Sequence, residues 1–367
     1  MPILFYFIYG SLLIFLTITV INILTGPMLK KRIIFHNQPL VSVLIPARNE
    51  AENIAQCLEG LIRQDYQNIE IIVLDDLSSD GTGKIARNFI NRFKALKVID
   101  GEPLPEGWTG KNWACHQLSK AAKGEILIFT DADNRHQNNA VSNTLGWIEK
   151  YELGLFSAFP QQKTGTLSER LVIPVIDLFL YSSLVLWLTY YLKFPSLAAA
   201  NGQWLAFTRT AYQKIRGHQA VKGKIVEDVE LSRLAKKGGI KILTTAGTGI
   251  ISSRMYNGLS QVWRGFSKNL FGLVSNKSIP FILILLGILF TYLLPFVLLF
   301  KMTLYPYALI SVLWGMLIRF LLAIKYKHPF FESVLLHPIG LLLTLIIAVN
   351  SFIQNKFGTV LWKGRQY

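Results

Sequence analysis

Cysteine is nearly missing from this chain: Cys57 and Cys115 are the two in 367 residues, and neither belongs to a C-x-x-C pair. That leaves no support for a disulfide framework or a thiolate zinc site, and both read as reduced cytosolic thiols, Cys57 on a helix face. No G-x-G-x-x-G and no G-x-x-x-x-G-K-[ST] follows the first strand-like run, so neither dinucleotide binding nor a Walker-type NTPase is indicated. Acidic residues are few, 22 against 38 Lys plus Arg, for a net charge of +16. A nucleic-acid surface would interleave that charge with aromatics on one soluble face. Here many basic residues instead flank apolar runs, where they meet anionic headgroups. The expected partner is a membrane, and no nucleic acid.

What is plentiful is hydrophobic residue, 51% of the chain, and it gathers at the two ends. Residues 2–24 carry no charge and reach the roughly 20 apolar residues a spanning helix needs. No basic segment precedes them and no small-residue cleavage site follows, so a retained anchor over 1–28 is expected in place of a signal peptide. Runs at 279–300, 304–324 and 334–353 predict further spans within 279–354, before a basic tail at 355–367. Lys30, Lys31 and Arg32 after the first run place the polar middle in the cytoplasm, and Lys325, Lys327 and His328 after the third agree. The expected location is the cell membrane, multi-pass. Four spans also put the basic tail outside, against the same rule, unless one late segment is re-entrant or interfacial.

The middle, 38–275, alternates short β-branched runs with amphipathic helical stretches, which predicts an α/β domain with a largely parallel sheet. Strands are expected at 40–46, 69–76, 96–99 and 125–133. In open α/β sheets ligands bind beyond the carboxyl ends of the strands. Three such ends carry polar clusters: Pro46 to Glu50, Asp75-Asp76, and Asp131-Ala132-Asp133. Acidic pairs of this kind also occur in plain turns. Read as ligands, two carboxylates one residue apart on an extended segment point to opposite sides and suit Mg2+ or Mn2+, whose shell substrate phosphates complete. A run at 171–192 is long enough to span, but it holds Pro174 and Asp177, and one crossing there would separate Asp133 from Asp228. An interfacial, membrane-docking segment over 171–193 is expected.

Five ordered motifs, VSVLIPARNEAENI (41–54), IEIIVLDDLSSDGT (69–82), ILIFTDAD (126–133), KIVEDVELSRLAKKGG (224–239) and Gln261-Val262-Trp263-Arg264, resemble those of family 2 inverting glycosyltransferases of GT-A fold. PEGWTGKNWACHQ (105–117) and TVLWKGRQY (359–367) further resemble membrane-anchored members that glycosylate terpenoid lipids of hopanoid or carotenoid type. The resemblance implies a hexosyltransferase that moves a sugar from a nucleotide donor, UDP-linked by preference, to a lipid acceptor with a divalent metal. Pro46, Arg48, Glu50, Asp75, Asp76, Lys111 and Asp131 would then hold the donor. Asp133, with Asp131, would hold the metal. Asp228 would be the base, Glu227 its neighbour at the acceptor, and Gln261 and Arg264 would complete the catalytic set.

Plainer readings stand beside these. Glu227-Asp228 also suits the start of a helix, Arg264 a headgroup contact, and Trp108 and Trp113 the packing of a loop. His116, His136 and His218 read as structural. The chain departs from polymer-forming members, which carry Q-x-x-R-W, because Gly265 follows Arg264. A polysaccharide synthase, and a silent membrane scaffold retaining the fold, are the alternatives. Intact Asp75, Asp131, Asp133 and Asp228 argue against the scaffold.

Overall fold

The structure is a computed structural model that describes residues 2–358 together with the two-residue strands Leu361–Trp362 and Arg365–Gln366. Residues 359, 360, 363, 364 and 367 of the basic tail lie outside the described residues. The chain forms two compact units, one of residues 27–161 with 186–254, the other of 1–26, 162–185 and 255–367.

The first unit is α/β. Its strands are β1 (Val41–Ala47), β2 (Ile69–Asp75), β3 (Leu96–Asp100), β4 (Ile126–Thr130), β5 (Asn134–His136) and β6 (Leu155–Phe159). After the two-residue β7 (Gln161–Gln162) come β8 (Trp204–Thr208), β9 (Ile242–Ala246) and β10 (Ile251–Ser253). A seven-stranded sheet runs β3-β2-β1-β4-β8-β6-β9, and only β8 opposes its neighbours. Alternate residues of the same strands feed two cores, as a period of two requires. Val41, Val43, Ile71, Val73 and Ile128 pack with Cys57, Leu58 and Trp147 on one face. Leu44, Ile72, Leu74, Leu127 and Phe129 pack with Cys115 and Leu118 on the other. Both faces are covered, which is why the strands read as continuous apolar runs.

The order reverses between β1 and β4. Pairing between them covers only Val41–Leu44 with Ile126–Phe129, whereas β1 stays paired with β2 through Ala47. The ends of β1 and β4 therefore part, opening a crevice at the switch point where such sheets bind ligands. One expectation needs correction: the segment 131–133 is not extended. Strand β4 ends at Thr130, and Asn134 N donates to Asp131 O (3.2 Å), closing a turn. Asp131 and Asp133 diverge because of that turn and not by strand alternation.

The second unit is helical. Four of its helices are long and apolar enough to cross a membrane: Ile3–Thr25, Ser278–Leu298, Tyr305–Tyr326 and His337–Phe357. Ile3–Thr25 and Tyr305–Tyr326 run in one direction, with Tyr9 Oη donating to Tyr307 O (3.1 Å) at one end and Lys325 Nζ to Ile23 O (2.6 Å) at the other. Helix Leu167–Ser183 contains Pro174 and buries Leu171, Val172, Val175 and Leu178. Asn22 Nδ2 closes its end by donating to the carbonyls of Tyr181 and Leu184, each at 2.8 Å. The run 171–193 is thus not one element, since residues from 186 onward belong to the α/β unit. Residues 255–275, placed with the α/β domain on sequence grounds, join the helices instead. Tyr256, Val262, Phe266 and Phe271 pack there with Phe281 and Ile347.

Candidate active site

Two loops at the carboxyl ends of β1 and β2 are stitched by side-chain to backbone bonds. Arg48 Nη1 donates to Asp76 O (2.6 Å), and Asp76 N donates back to Ala47 O (2.8 Å). Asn49 adopts φ 52°, a left-handed geometry that asparagine tolerates. There it accepts from Ser79 N at Oδ1 (3.0 Å) while its own N–H donates to Ser78 Oγ (3.0 Å). Glu50 N donates to Thr82 Oγ1 (2.8 Å), and its side chain takes a bond from Asn53 Nδ2 (2.9 Å). Asp75 accepts from Ser78 N (3.1 Å), and its other oxygen lies so close over Gly83 that a Cβ there would approach to 2.1 Å. Asp75 remains half-buried while Asp76 is 4% exposed.

Lys111 links the acidic groups across the site. It sits in the first turn of helix Gly110–Ala121, whose cap Thr109 accepts from Asn112 N. Its Nζ lies 2.9 Å from Asp131 Oδ1 and 3.1 Å from Glu227 Oε1. Burial alone would pull this ammonium down, but the carboxylates of Asp131 and Glu227 outweigh it and hold Lys111 charged well above the usual lysine range. Asn112 fastens the chain leading to Glu227, since its Nδ2 donates to the carbonyls of Val221 (2.7 Å), Lys222 (3.1 Å) and Lys224 (2.9 Å).

Asp228 opens helix Glu227–Lys237 and accepts from Gly202 N at Oδ2 (2.7 Å) and from Val229 N at Oδ1 (2.8 Å). Burial and then the charge of Glu227 push its carboxyl up to about 7, against Lys111 and those two N–H groups. A helix N-terminus favours the anion, so the raised value reflects how dry and how acidic the site is.

Asp133 is the other perturbed acid. Burial, then Asp131 and Glu50, push it up to about 7, while a hydrogen bond from Ser253 and the charge of Lys111 pull it back. Its Oδ1 is sealed from solvent without a hydrogen-bond partner. Beneath it Gln203 Nε2 donates to Ser253 Oγ (2.8 Å), and Thr130 Oγ1 donates to Gln203 O (3.0 Å). Among the described residues no group of three or more His, Cys, Asp or Glu converges on a metal position. A site completed by substrate phosphates needs fewer, since Mg2+ and Mn2+ take one or two carboxylates. The orphaned Oδ1 beside Asp131 fits such an ion.

His136 and His218 are tied into the fold by buried hydroxyl partners. His136 Nε2 meets Thr130 Oγ1 (3.0 Å) and His218 Nδ1 meets Tyr212 Oη (2.7 Å), and burial first holds both neutral, down to about 3. Trp108 and Trp113 meet edge to face at 5.1 Å. Trp108 also rims an open depression of about 420 Å³ with Arg216, Gln219, Ala220 and Lys222. Gln261 and Arg264 belong to the helical unit, on helix Leu259–Asn269. Gln261 Oε1 accepts from Asn257 N (2.9 Å), and Arg264 Nη2 donates to Ser260 Oγ (2.7 Å). Gly265 faces the Tyr256 ring, where a Cβ would come within 2.3 Å, so no tryptophan fits after Arg264.

Sequence reasoning missed Gly202, Gln203, Ser253 and Asn53. A Cβ on Gly202 would lie 3.1 Å from Lys111 Nζ and 3.2 Å from Glu227 Oε1, so the site closes around a bare Cα. The one signal was polar NGQ between the small residues 198–200 and an apolar strand.

Residues 42–208 match the family model Glycosyl transferase family 2. The chain is 24% identical over 356 residues to 4,4'-diaponeurosporenoate glycosyltransferase of Staphylococcus aureus, covering 92% of this chain and 91% of that protein. Its counterpart in Staphylococcus haemolyticus is 28% identical over 259 residues, 67% of this chain and 64% of that one. Among solved structures, a mannosyltransferase from Pyrobaculum calidifontis in complex with GDP-Man and Mn2+ has a TM-score of 0.58 at 18% identity, covering 96% of this chain and all of that one. That likeness establishes the fold: a GT-A α/β domain accompanied by apolar helices at both ends.

Proposed function

We propose that this chain, a glycosyltransferase that carries a glycosyl transferase family 2 domain over residues 42–208, is a membrane-bound inverting enzyme moving a sugar from a nucleotide donor to a lipid acceptor. UDP-sugars are the favoured donors and terpenoid lipids of carotenoid or hopanoid type the favoured acceptors, both from the motif resemblance; the Staphylococcus relatives, named for 4,4'-diaponeurosporenoate, support a carotenoid-type acceptor. The observation that carries this reading is the reach of Lys111 to both Asp131 and Glu227. It joins the donor-side motif and the base-side motif in one site.

In this mechanism the loops around Arg48, Glu50, Asp75 and Asp76 seat the nucleoside. Asp133 and Asp131 would hold a divalent ion, which when bound offsets charge on the departing diphosphate. Lys111 adds a fixed positive charge on the same side. Asp228 takes the proton of an acceptor hydroxyl as its oxygen attacks the anomeric carbon, and its raised pKa makes it a base matched to neutral pH. A carboxylate acceptor would need no such proton transfer. The depression beside Trp108 is the proposed acceptor approach. Membrane docking falls to the chain around Tyr191 and Phe194, which are 65% and 62% exposed. Gln261 and Arg264 are retained as proposed catalytic partners.

A catalytic domain on the cytoplasmic side is supported by Lys325 meeting the end of the first helix, which puts basic residues at the end from which the chain leaves for the α/β domain. The test is to incubate membranes holding the chain with radiolabelled UDP-sugars or GDP-mannose and Mg2+ or Mn2+, then count the lipid extract. Label is expected with the native chain and not with Asp133→Ala or Asp228→Asn. Label retained in both variants would overturn the assigned roles.

A further inference from the structure

The helical unit buries a full positive charge. Arg319 is 1% exposed within helix Tyr305–Tyr326 and stands eight residues before Lys327, about 12 Å along the axis. An ionisable group so placed is costly and calls for a partner. Its Nε donates to Ser333 O (2.8 Å) and its Nη1 to Pro174 O (2.7 Å), both neutral carbonyls. Asp177, the acid whose field reaches Arg319, is bonded at 2.9 Å to His328 instead.

A second group beside it lacks partners altogether. His337, the first residue of helix His337–Phe357, is 2% exposed, and both ring nitrogens are buried without a hydrogen bond. Folded proteins rarely leave such atoms unsatisfied. Gly315 lies one turn before Arg319 on the same helix face. A Cβ there would stand 4.0 Å from His337 Nε2 and 3.5 Å from Tyr292 Cδ1, so the glycine leaves uncrowded space against the imidazole. Tyr292 meets His337 edge to face at 5.6 Å. It comes from a π-helical turn, Leu289–Leu293, a break in helical register found frequently at functional sites.

We propose that Arg319 and His337 form an oxyanion site inside the helical unit, which holds the carboxylate or phosphate of an anionic amphiphile beside Gly315. The donor set decides the class of ligand. Guanidinium and imidazole N–H both donate, so the ligand must accept, and a negative oxygen also offsets the buried charge. A water would satisfy one donor and leave the charge unmatched. The occupant is a fatty-acyl carboxylate or a phospholipid phosphate, two sources of one chemistry.

Native mass spectrometry of the full chain in mild detergent tests this with three probes: oleate, dioleoyl phosphatidate and neutral dioleoylglycerol. The native chain should keep one equivalent of an anionic probe and none of the neutral one, and the probe retained names the source. His337→Phe keeps the ring and removes both nitrogens; it should cut retention at least tenfold while raising the melting temperature in lipid-free detergent. Gly315→Leu should block binding by filling that space, and its melting temperature in lipid-free detergent checks that it folds. No preference for anionic probes in the native chain, or undiminished retention in His337→Phe, overturns the proposal. The readout is mass, so it stands apart from sugar transfer.

Discussion

Lys111 Nζ lies 3.1 Å from Glu227 Oε1, and the same ammonium meets Asp131 at 2.9 Å. Lys111→Met should therefore disable two motifs at once, with a loss of kcat/KM on the order of 10²-fold, the scale of removing one preorganised electrostatic partner. Lys111 also holds the carboxyl of Asp228 down. The acid limb of the rate profile should move to higher pH in Lys111→Met, which initial rates across pH 5 to 9 would reveal. An unmoved limb would separate Lys111 from the base.

For a hydroxyl acceptor, Asp228 must be ionised, and its carboxyl titrates at about 7. Turnover should rise with pH through that value, with about one tenth of the base available at pH 6 and about nine tenths at pH 8. Asp228→Asn should cost about 10²- to 10⁴-fold in kcat. With a carboxylate acceptor the limb should vanish, so the profile also distinguishes acceptor classes.

Stability should carry the opposite sign. Asp133 and Asp228 sit at about 7 when folded, above the ~3.9 of an unfolded aspartate, so the native chain binds more protons between those values. Melting temperature without metal should fall as pH rises from about 4 through 7. Mn2+ with UDP should restore it more at pH 8 than at pH 5.5, because the ligands must be ionised. Scanning fluorimetry in detergent measures both, and Asp133→Asn should flatten both responses.

Gly202→Ala puts a methyl 3.1 Å from Lys111 Nζ and 3.2 Å from Glu227 Oε1. The lysine tip can yield, so the fold should lose less than about 1 kcal/mol although Gly202 is buried. Activity should drop about tenfold as the Lys111–Glu227 contact shifts, the size of a roughly 1.4 kcal/mol effect on the barrier. Paired melting and rate measurements check the split.

Cys57 and Cys115 are both buried, so introduced cysteines can report orientation with little background. Lys30→Cys and Lys327→Cys should label from the cytoplasmic side with a membrane-impermeant maleimide. Labelling of the two from opposite sides would break the proposed topology.

The sequence by itself determined the α/β alternation, the four apolar runs and the acidic clusters at strand ends. Each depends on local periodicity: two per strand turn of side chains, unbroken apolarity over a span, and polar residues where a strand stops. Tertiary structure alone decided that Lys111 joins Asp131 to Glu227 and that Gly202 lends a bare Cα to the site. It also set Ser253 beneath Asp133 and assigned residues 255–275 to the helices. Those outcomes depend on contacts between residues distant along the chain, fixed by sheet order and by which apolar faces meet. The turn at Asp131 to Asp133 belongs with them, because it is closed by one bond from Asn134 N to Asp131 O beyond the end of the apolar run.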